Sequence, residues 1–450
     1  MADLITQSIV DLAARDELER QRKIKAAWEN YNGIDTLPLT PAEDGDDNVR
    51  LNYGKLIVNK SVTWLFGADR GLGFSVTKPD SDDSDENAED ELGKLWPQEE
   101  RAVALQQMGV NGGVAGHNFV KLMAPDPATI IQKPRIIVLD PANMTVIWDQ
   151  EDIGRVLEFR YQWNAIDTDT GKPYARRQRT IRIDDTERWT IVDERADEDS
   201  LDWTPITDEF EWEYDWCPIH HNQNLPAPNE FYGASDLEPD VLALIQALQA
   251  IAGYSRKLTR HRGHPLPYVT GEQAERIEKL NVAIGRMLVI PDPNANVGQL
   301  DAMSLDAVLD LYRELKIALF EVSRTPATAF GSSMSNIAEE TVELSFAPAV
   351  EKTWDKRLTF GPMLTSLTSH ILEIGGITER RPQPQWTEIV PRSAKSEAEA
   401  LQRDLDMGIV SKATVAQKRG YDWDTEKGRI DDDRAEAATR DPLANFLNAN

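Results

Sequence analysis

SDLEPDVLALIQALQAIAGYSRKLTRHRG, residues 235–263, and LDAVLDLYRELKIALFEV, residues 305–322, decide the fold. In the first, Leu237, Val241, Leu244, Ile245, Leu248, Ile251, Ala252 and Leu258 recur every three or four positions, the spacing of one helical face. Ser235 suits an N-cap, and Asp236 and Glu238 place carboxylates in the first turn, where the helix dipole favours them. Pro239 is tolerated near a helix start. The helix ends basic, with Arg256, Lys257, Arg260 and Arg262, and Gly263 is expected to stop it. In the second stretch Leu305, Val308, Leu309, Tyr312, Leu315, Leu319 and Val322 are joined by Leu311, Ile317, Ala318 and Phe320. An apolar surface on more than one side predicts neighbours on more than one side. The insert between these rods, His264–Ser304, reads as short strands at Tyr268–Thr270 and Met287–Ile290 around a helix near 272–282, with a turn-rich return at Pro291–Asn296. Rod, knob and rod is not the layout of an enzyme with one core.

A loop rich in Ser, Gly and Pro follows, and then a third helical pattern. It opens at Ser335 or Asn336, with Glu339 at capping-box distance from Asn336, and runs to Ile374 before Gly375 and Gly376. Pro348 inside it predicts a kink, and Gly361–Pro362 a second bend or break. The alternative is two ordinary helices meeting at a turn near Pro348.

The 450 residues suffice for two or three domains, and the apolar share of 40% supports sizeable cores. A formal net charge of -28 excludes phosphate binding over the whole surface. Against that background Gly253–Ile290 holds seven Lys/Arg and three Asp/Glu, net +4. This reversal is either the charged surface of a small subdomain or a local feature with something to face. One cysteine, Cys217, excludes an intrachain disulfide framework. With no signal peptide and no run of 18 apolar residues, the chain reads as soluble and intracellular.

Before the first rod, residues 1–32 read as an amphipathic helix, polar enough for a peripheral arm, and 34–50 as a loop. Asn52–Phe66 is helical and Phe74–Thr77 a strand. The acidic run 79–91 reads as a solvated or mobile loop, since a calcium loop would need a turn glycine and a spaced terminal Glu. Residues 92–110 are helical. From Gly112 to Ile219 the period changes to two, with strands beginning at Phe119, Arg135, Met144, Val156, Arg179 and Arg188 and a turn at Asp169–Pro173. This is an antiparallel β region attached to helices, with a tryptophan-rich core. Asn222–Phe231 reads as a linker. Beyond the third helix, 377–392 is extended, Ser393–Met407 is a charged helix, Ser411 caps another before Gly420, and the tail is acidic at Asp431–Asp433 with a short helix around Leu443, Phe446 and Leu447. The fold class is α+β.

No chemistry is marked. There is no phosphate-binding lysine loop, and Gly67–Gly73 spaces its glycines wrongly for a dinucleotide and follows a helix. Cys217, His220 and His221 lack the second ligand pair that structural zinc needs. His261 and His264 belong with the basic band. The carboxylates are many and none is singled out. No catalytic residue, cofactor or metal is expected.

Several stretches resemble the portal proteins of tailed bacteriophages, in the long-tailed phage family. NYGKLIVNKSVTWLFGADRGLGFSV (52–76) is similar to that family's early helix, glycine and strand. PIHHNQN (218–224) and YGASDL (232–237) resemble the linker feeding the first stem helix. TPATAFGSS (325–333) resembles the loop before the long helix, and GIVSKATVA (408–416) the opening of the crown. They span the chain nearly end to end, in order.

The resemblance implies a homo-oligomeric ring, a dodecamer, at one capsid vertex of a virion, assembled in the host cytoplasm. Double-stranded DNA would pass its channel in packaging and ejection. Terminase, major capsid and scaffolding proteins and head-completion or adaptor proteins would be its partners, with no membrane. The wing would be 1–234 with a return at 336–390. The stem would be 235–262 and 304–323, the clip 263–303, the channel loop 324–335 and the crown 391–450. The channel loop would present Arg324, Thr325, Pro326, Phe330, Ser332, Ser333 and Ser335, with Arg324 its only charge. The alternative is another ring-forming virion or connector protein without a packaging role.

Overall fold

A computed structural model of the chain describes residues 2–34, 49–68, 70–78, 83–125, 133–149, 151–168, 170–183, 186–197, 202–263, 267–270, 296–299, 306–327, 344–389, 394–419 and 421–440. Side chains of 2–16, 197, 260–300, 394–397, 417–418, 424 and 434–440 are outside that description. The chain divides into two compact units, Met1–Ile389 and Val390–Asn450. It is a mixed helix-and-sheet fold with antiparallel sheets, the α+β class.

In the first unit, helix α1 (Ala2–Asn32) is more than a peripheral arm, because Ile24 and Ala27 of its second half are buried. Helix α2 (Tyr53–Phe66) is capped by Asn52, whose side chain accepts from the Lys55 amide at 3.2 Å. Strand β1 (Gly73–Thr77) follows. The acidic run expected to be a loop instead forms most of helix α3 (Glu86–Leu95). Asp85 caps it through the Ala88 amide, Glu86 and Glu89 lie in the first turn, and Ala88 and Leu92 are buried four residues apart. A cap, a dipole-matched first turn and two anchors outweigh the acidity. Helix α4 (Gln98–Ala115) runs through Gly112 and Gly113, where a change of period was expected. There the glycines are approach points: a Cβ on Gly113 would meet Val58 at 2.8 Å, and one on Gly112 would meet Phe360 at 3.2 Å.

The β region follows. Strands β2 (His117–Met123), β3 (Arg135–Leu139), β4 (Met144–Trp148), β5 (Val156–Ile166), β6 (Pro173–Arg182), β7 (Trp189–Asp197), β8 (Thr204–Pro205), β9 (Phe210–Glu211) and β10 (Ile219–Gln223) form two antiparallel sheets. One has the order β10-β2-β3; the other runs β4-β5-β6-β7-β8, with β9 also on β7. Phe119, Phe159, Trp189, Trp212, Ile219 and Phe231 make their shared core. Outside it, Glu158 takes both Arg160 and Arg179 at 2.6 Å, and Arg177 pairs with Glu194 at 2.6 Å.

Helix α5 (Pro239–Gly263), strands β11 (Pro267–Thr270) and β12 (Asn296–Gln299) and helix α6 (Asp306–Val322) come next. Helix α7 (Ala347–Ile374) then threads the main core. It begins at Ala347, so Pro348 is a first-turn proline and makes no kink within α7: the amide it lacks would be unbonded there anyway. The expected start at Ser335 or Asn336 lies outside the described residues. Pro362 does fall inside α7, and the helix continues past it to Ile374. Pro362 sits on the exposed face, where losing one backbone bond costs least. Strand β13 (Arg381–Gln385) closes on β1 across more than 300 residues of chain.

In the second unit, helices α8 (Ala394–Asp406), α9 (Lys412–Lys418) and α10 (Trp423–Arg440) follow in order. Ser411 caps α9 through the Thr414 amide at 3.2 Å. Asp431–Asp433 lie within α10 and not in a free tail. Leu443, Phe446 and Leu447 lie outside the described residues. Among the described residues no helix is long and apolar enough to cross a membrane.

Candidate functional site: a helical arm and its joint

Helices α5 and α6 pack side by side as an arm. Only the base of the arm is in the core. Among the described side chains, the buried large apolar residues are Val241, Ile245 and Leu248 on α5 and Leu319 and Phe320 on α6. The α2 end of the core grips that base. Tyr53 Oη lies 3.0 Å from Tyr312 Oη, Tyr53 meets Phe320 edge-on, and Gln249 donates to the Leu51 carbonyl. On the faces turned away from the core, Tyr254, Leu309, Leu311 and Ile317 are each exposed by 42% or more. An apolar groove between the helices is lined by Ile251, Tyr254, Lys257, Leu258 and Val308. At the far end β11 and β12 pair antiparallel, Pro267 opposite Gln299, so the insert returns to its own starting point. The first of these strands was expected. The second falls at 296–299, while Met287–Ile290 and the helix near 272–282 lie outside the described residues.

The joint at the base is built from charges. The α5 helix opens at Pro239, one turn later than expected, and the segment before it is stitched to the end of α4. Ser235 Oγ lies 2.9 Å from the Gly113 carbonyl and 2.8 Å from that of Val114, and the Asp236 amide donates to the Gly113 carbonyl at 2.8 Å. Ser235 and Glu238 form a reciprocal box: the Leu237 amide donates to Ser235 Oγ and the Ser235 amide to Glu238 Oε1, each at 2.9 Å. Asp236 is thus no solvated first-turn carboxylate. It is buried, with Oδ1 3.0 Å from Lys352 Nζ and Oδ2 2.7 Å from Lys356 Nζ. Lys352 Nζ also donates to the Ser323 carbonyl at 3.0 Å. Burial alone would raise the Asp236 pKa, but the two ammonium groups outweigh it and hold it at about 2. Burial pulls Lys356 down to about 8, against the opposing pull of Asp236.

The residues assigned to a channel loop divide. Arg324 has φ 51 and pairs with Asp355 at 2.9 Å. Thr325 is 2% exposed, with its hydroxyl donating to the Ser323 carbonyl, and Pro326 is buried. These three lie in the turn that follows α6 at the base of the arm, with Arg324 partly exposed, and residues 328–343 between that turn and α7 lie outside the described residues. Phe330, Ser332, Ser333 and Ser335 lie outside the described residues. Of the basic band, Arg256 and Lys257 stand on the outer half of α5, where Lys257 borders the groove. Arg260 and Arg262 continue the same helix, with side chains outside the description. His220 faces His370, Nε2 to Nδ1 3.3 Å, and His221 stacks on Phe231. Cys217 Sγ accepts from the Ile219 amide at 3.4 Å. Among the described residues no group of three or more His, Cys, Asp or Glu is placed to hold a metal.

Lys352 and Lys356 were missed as site residues. The signal was available: they sit four apart on the α7 face that carries Ala349, Phe360, Met363 and Leu367. Basic residues inside an apolar stripe need a buried partner.

No protein-family model and no curated protein sequence matches the chain. Among solved structures it is similar to a chain of the virion of a native gene transfer agent particle, at 13% identity and a TM-score of 0.45, covering 89% of this chain and 93% of that one. It is also similar to a chain in the neck of the native particle, computed with C12 symmetry, at 15% identity and a TM-score of 0.43, covering 82% and 91%. A chain in the neck of the empty particle, computed with C6 symmetry, matches at 15% identity, a TM-score of 0.44 and the same coverages.

Proposed function

We propose that this chain is the portal subunit of a virion: a ring, expected as a dodecamer, at one capsid vertex, through which double-stranded DNA is packaged and ejected. The observation that carries the reading is the arm. Two antiparallel helices leave the core, end in an insert closed by its own strand pair, and return to a long helix. That order supports the stem, clip and stem layout implied by the portal resemblance, expected at 235–262, 263–303 and 304–323. Exposed apolar side chains along the arm suit helices that pack against copies of themselves. The net charge of -28 suits a channel wall that a polyanion slides past. The arm's insert would meet the terminase and later head-completion proteins, and the Arg256 and Lys257 end of α5 would lie near that contact. No residue is assigned a catalytic role.

Native mass spectrometry and axial views by electron microscopy test the assignment. A closed ring near twelve subunits with a central channel is expected. A monomer at all concentrations, with no particles in images, overturns it. A ring that assembles but supports no packaging in its virion would favour a connector protein instead.

A further inference from the structure

We infer that Asp236, Lys352 and Lys356 form a charge lock that sets the direction of the α5–α6 arm, with Lys352 the only one of the three that ties both ends of the arm together. This concerns how the arm is held and goes beyond what the arm does in an assembly.

The two ends of the arm are electrically opposite. The N-terminus of α5 carries the positive end of its dipole and the C-terminus of α6 the negative end, and both arrive at one turn of α7. Asp236 precedes α5, and Lys352 meets the Ser323 carbonyl just beyond α6. Each charge therefore complements the helix end beside it, and the 3.0 Å pair between them closes the circuit. Lys356 binds only the other carboxylate oxygen, Oδ2, at 2.7 Å. The side chains of Asp236, Lys352 and Lys356 are 0%, 4% and 1% exposed.

A cluster this dry contributes little net stability, because desolvation offsets most of the attraction. Its effect is on geometry. Apolar contacts at Val241, Ile245, Leu248 and Leu319 hold the base in the core but are non-directional. Hydrogen bonds from one ammonium to a carboxylate on one side and a carbonyl on the other are directional, as are the Tyr53–Tyr312 and Gln249–Leu51 bonds on the α2 side of the base. The cluster also holds two cations to one anion, so Lys356 can be lost without leaving Asp236 unpaired, whereas Lys352 cannot be lost without cutting the Ser323 tie.

Hydrogen exchange on the full chain, with thermal unfolding in parallel, decides the matter. The apolar replacement Asp236→Leu with Lys352→Met and Lys356→Met should unfold within a few degrees of the parent. Its amides in 241–250 and 316–322 should exchange at least tenfold faster, while those in α2 and 360–372 stay unchanged. A folded triple variant with parental exchange in the arm overturns the lock. If the triple variant does not fold, the single changes carry the test. Lys352→Met should deprotect 316–322 by about tenfold more than Lys356→Met does. Equal effects of the two substitutions overturn the assignment of Lys352. Neither result depends on ring formation, which fails or succeeds separately in the mass spectrum.

Discussion

Trp216 lies flat on His370, ring centroids 4.0 Å apart and planes 3° from parallel, and the same indole donates to Glu373 at 3.1 Å. The stack docks the β region onto α7, and it places His370 against His220. Burial pushes His220 down to about 3, with the charge of His370 adding to the shift, and burial pushes His370 down to about 4. Both folded values lie below the usual 6.5 of an unfolded histidine. The unfolded chain therefore binds these protons first. The contribution is fully present above about pH 6.5 and is lost as pH falls. Thermal unfolding should thus weaken between pH 7 and pH 5, where most carboxylates still hold their charge. His370→Phe, which keeps a ring on Trp216, should make that limb shallower, and His117 and His221, whose pKa values burial also lowers, contribute to the slope that remains. An unchanged pH slope in the variant would show that the pair does not set it.

Arg20 reaches from α1 into the β region. It meets His117 Nε2 at 3.0 Å and donates to the Met144 carbonyl at 2.6 Å and to that of Pro141 at 3.3 Å, and its guanidinium lies 4.4 Å from the centre of the Tyr232 ring. Charge-assisted bonds of this kind are worth about 1.5–3 kcal/mol each and do not add fully. Arg20→Met should cost roughly 2–4 kcal/mol and expose α1 to protease, giving early release of an N-terminal fragment. Arg20→Lys should not rescue it, since one ammonium cannot serve that spread of acceptors. Full rescue by lysine would mean that charge alone holds α1.

The glycines of α4 give a sharp pair of outcomes. Gly113→Ala gains about 1 kcal/mol of helix propensity but drives a methyl to 2.8 Å from Val58 and 3.0 Å from Asp236 Oδ2. Overpacking of about 1–3 kcal/mol should win, and the melting temperature should fall. Gly93→Ala, inside α3 with nothing within 4 Å of the added carbon, should raise it by about 0.5–1 kcal/mol of stability. A stabilising Gly113→Ala would show that α2 and α4 can move apart.

Much of this layout can be read from local pattern. The periods of α2, α5 and α6 are intact in the sequence, and the β-prone runs from β2 to β7 stand out between turn residues, although β2 is buried on both faces and shows no alternation. What could not be read was set by distant partners. Strand β13 is extended because β1, some 300 residues earlier, pairs with it, and no local alternation marks RPQPQ. Helix α4 runs through Gly112 and Gly113 because α2, Asn224 and Phe360 need that space. Asp236 looked like an ordinary first-turn carboxylate, since its lysines lie more than a hundred residues away. Pro348 separates the two readings of its stretch: Leu344 and Ser345 are helical, Phe346 is in a turn and α7 starts at Ala347, which fits two helices meeting near the proline better than one kinked helix, and no break of period in the sequence from Asn336 to Ile374 marks that junction.

The exposed apolar face of α6 separates folding from assembly. Leu311 is 52% exposed and Ile317 50% exposed, and neither belongs to the core of the subunit. Exposed positions away from caps and networks usually shift stability by less than about 0.5 kcal/mol. Leu311→Asp with Ile317→Asp should therefore leave the melting of a lone subunit nearly unchanged. In a ring of packed arms the same two carboxylates would be buried against a neighbour, where an unpaired charge is costly enough to block association. If the parent forms the proposed ring, sedimentation should then show subunits or small oligomers in its place, with the same circular dichroism. Asp310 and Glu314 already lie on this helix, so the added charges also repel locally, and raising the salt should restore part of the association. Rings that form normally in the double variant would place the subunit contact elsewhere, and a loss of folding along with assembly would show that α6 is held by more than Tyr312, Leu315, Leu319 and Phe320.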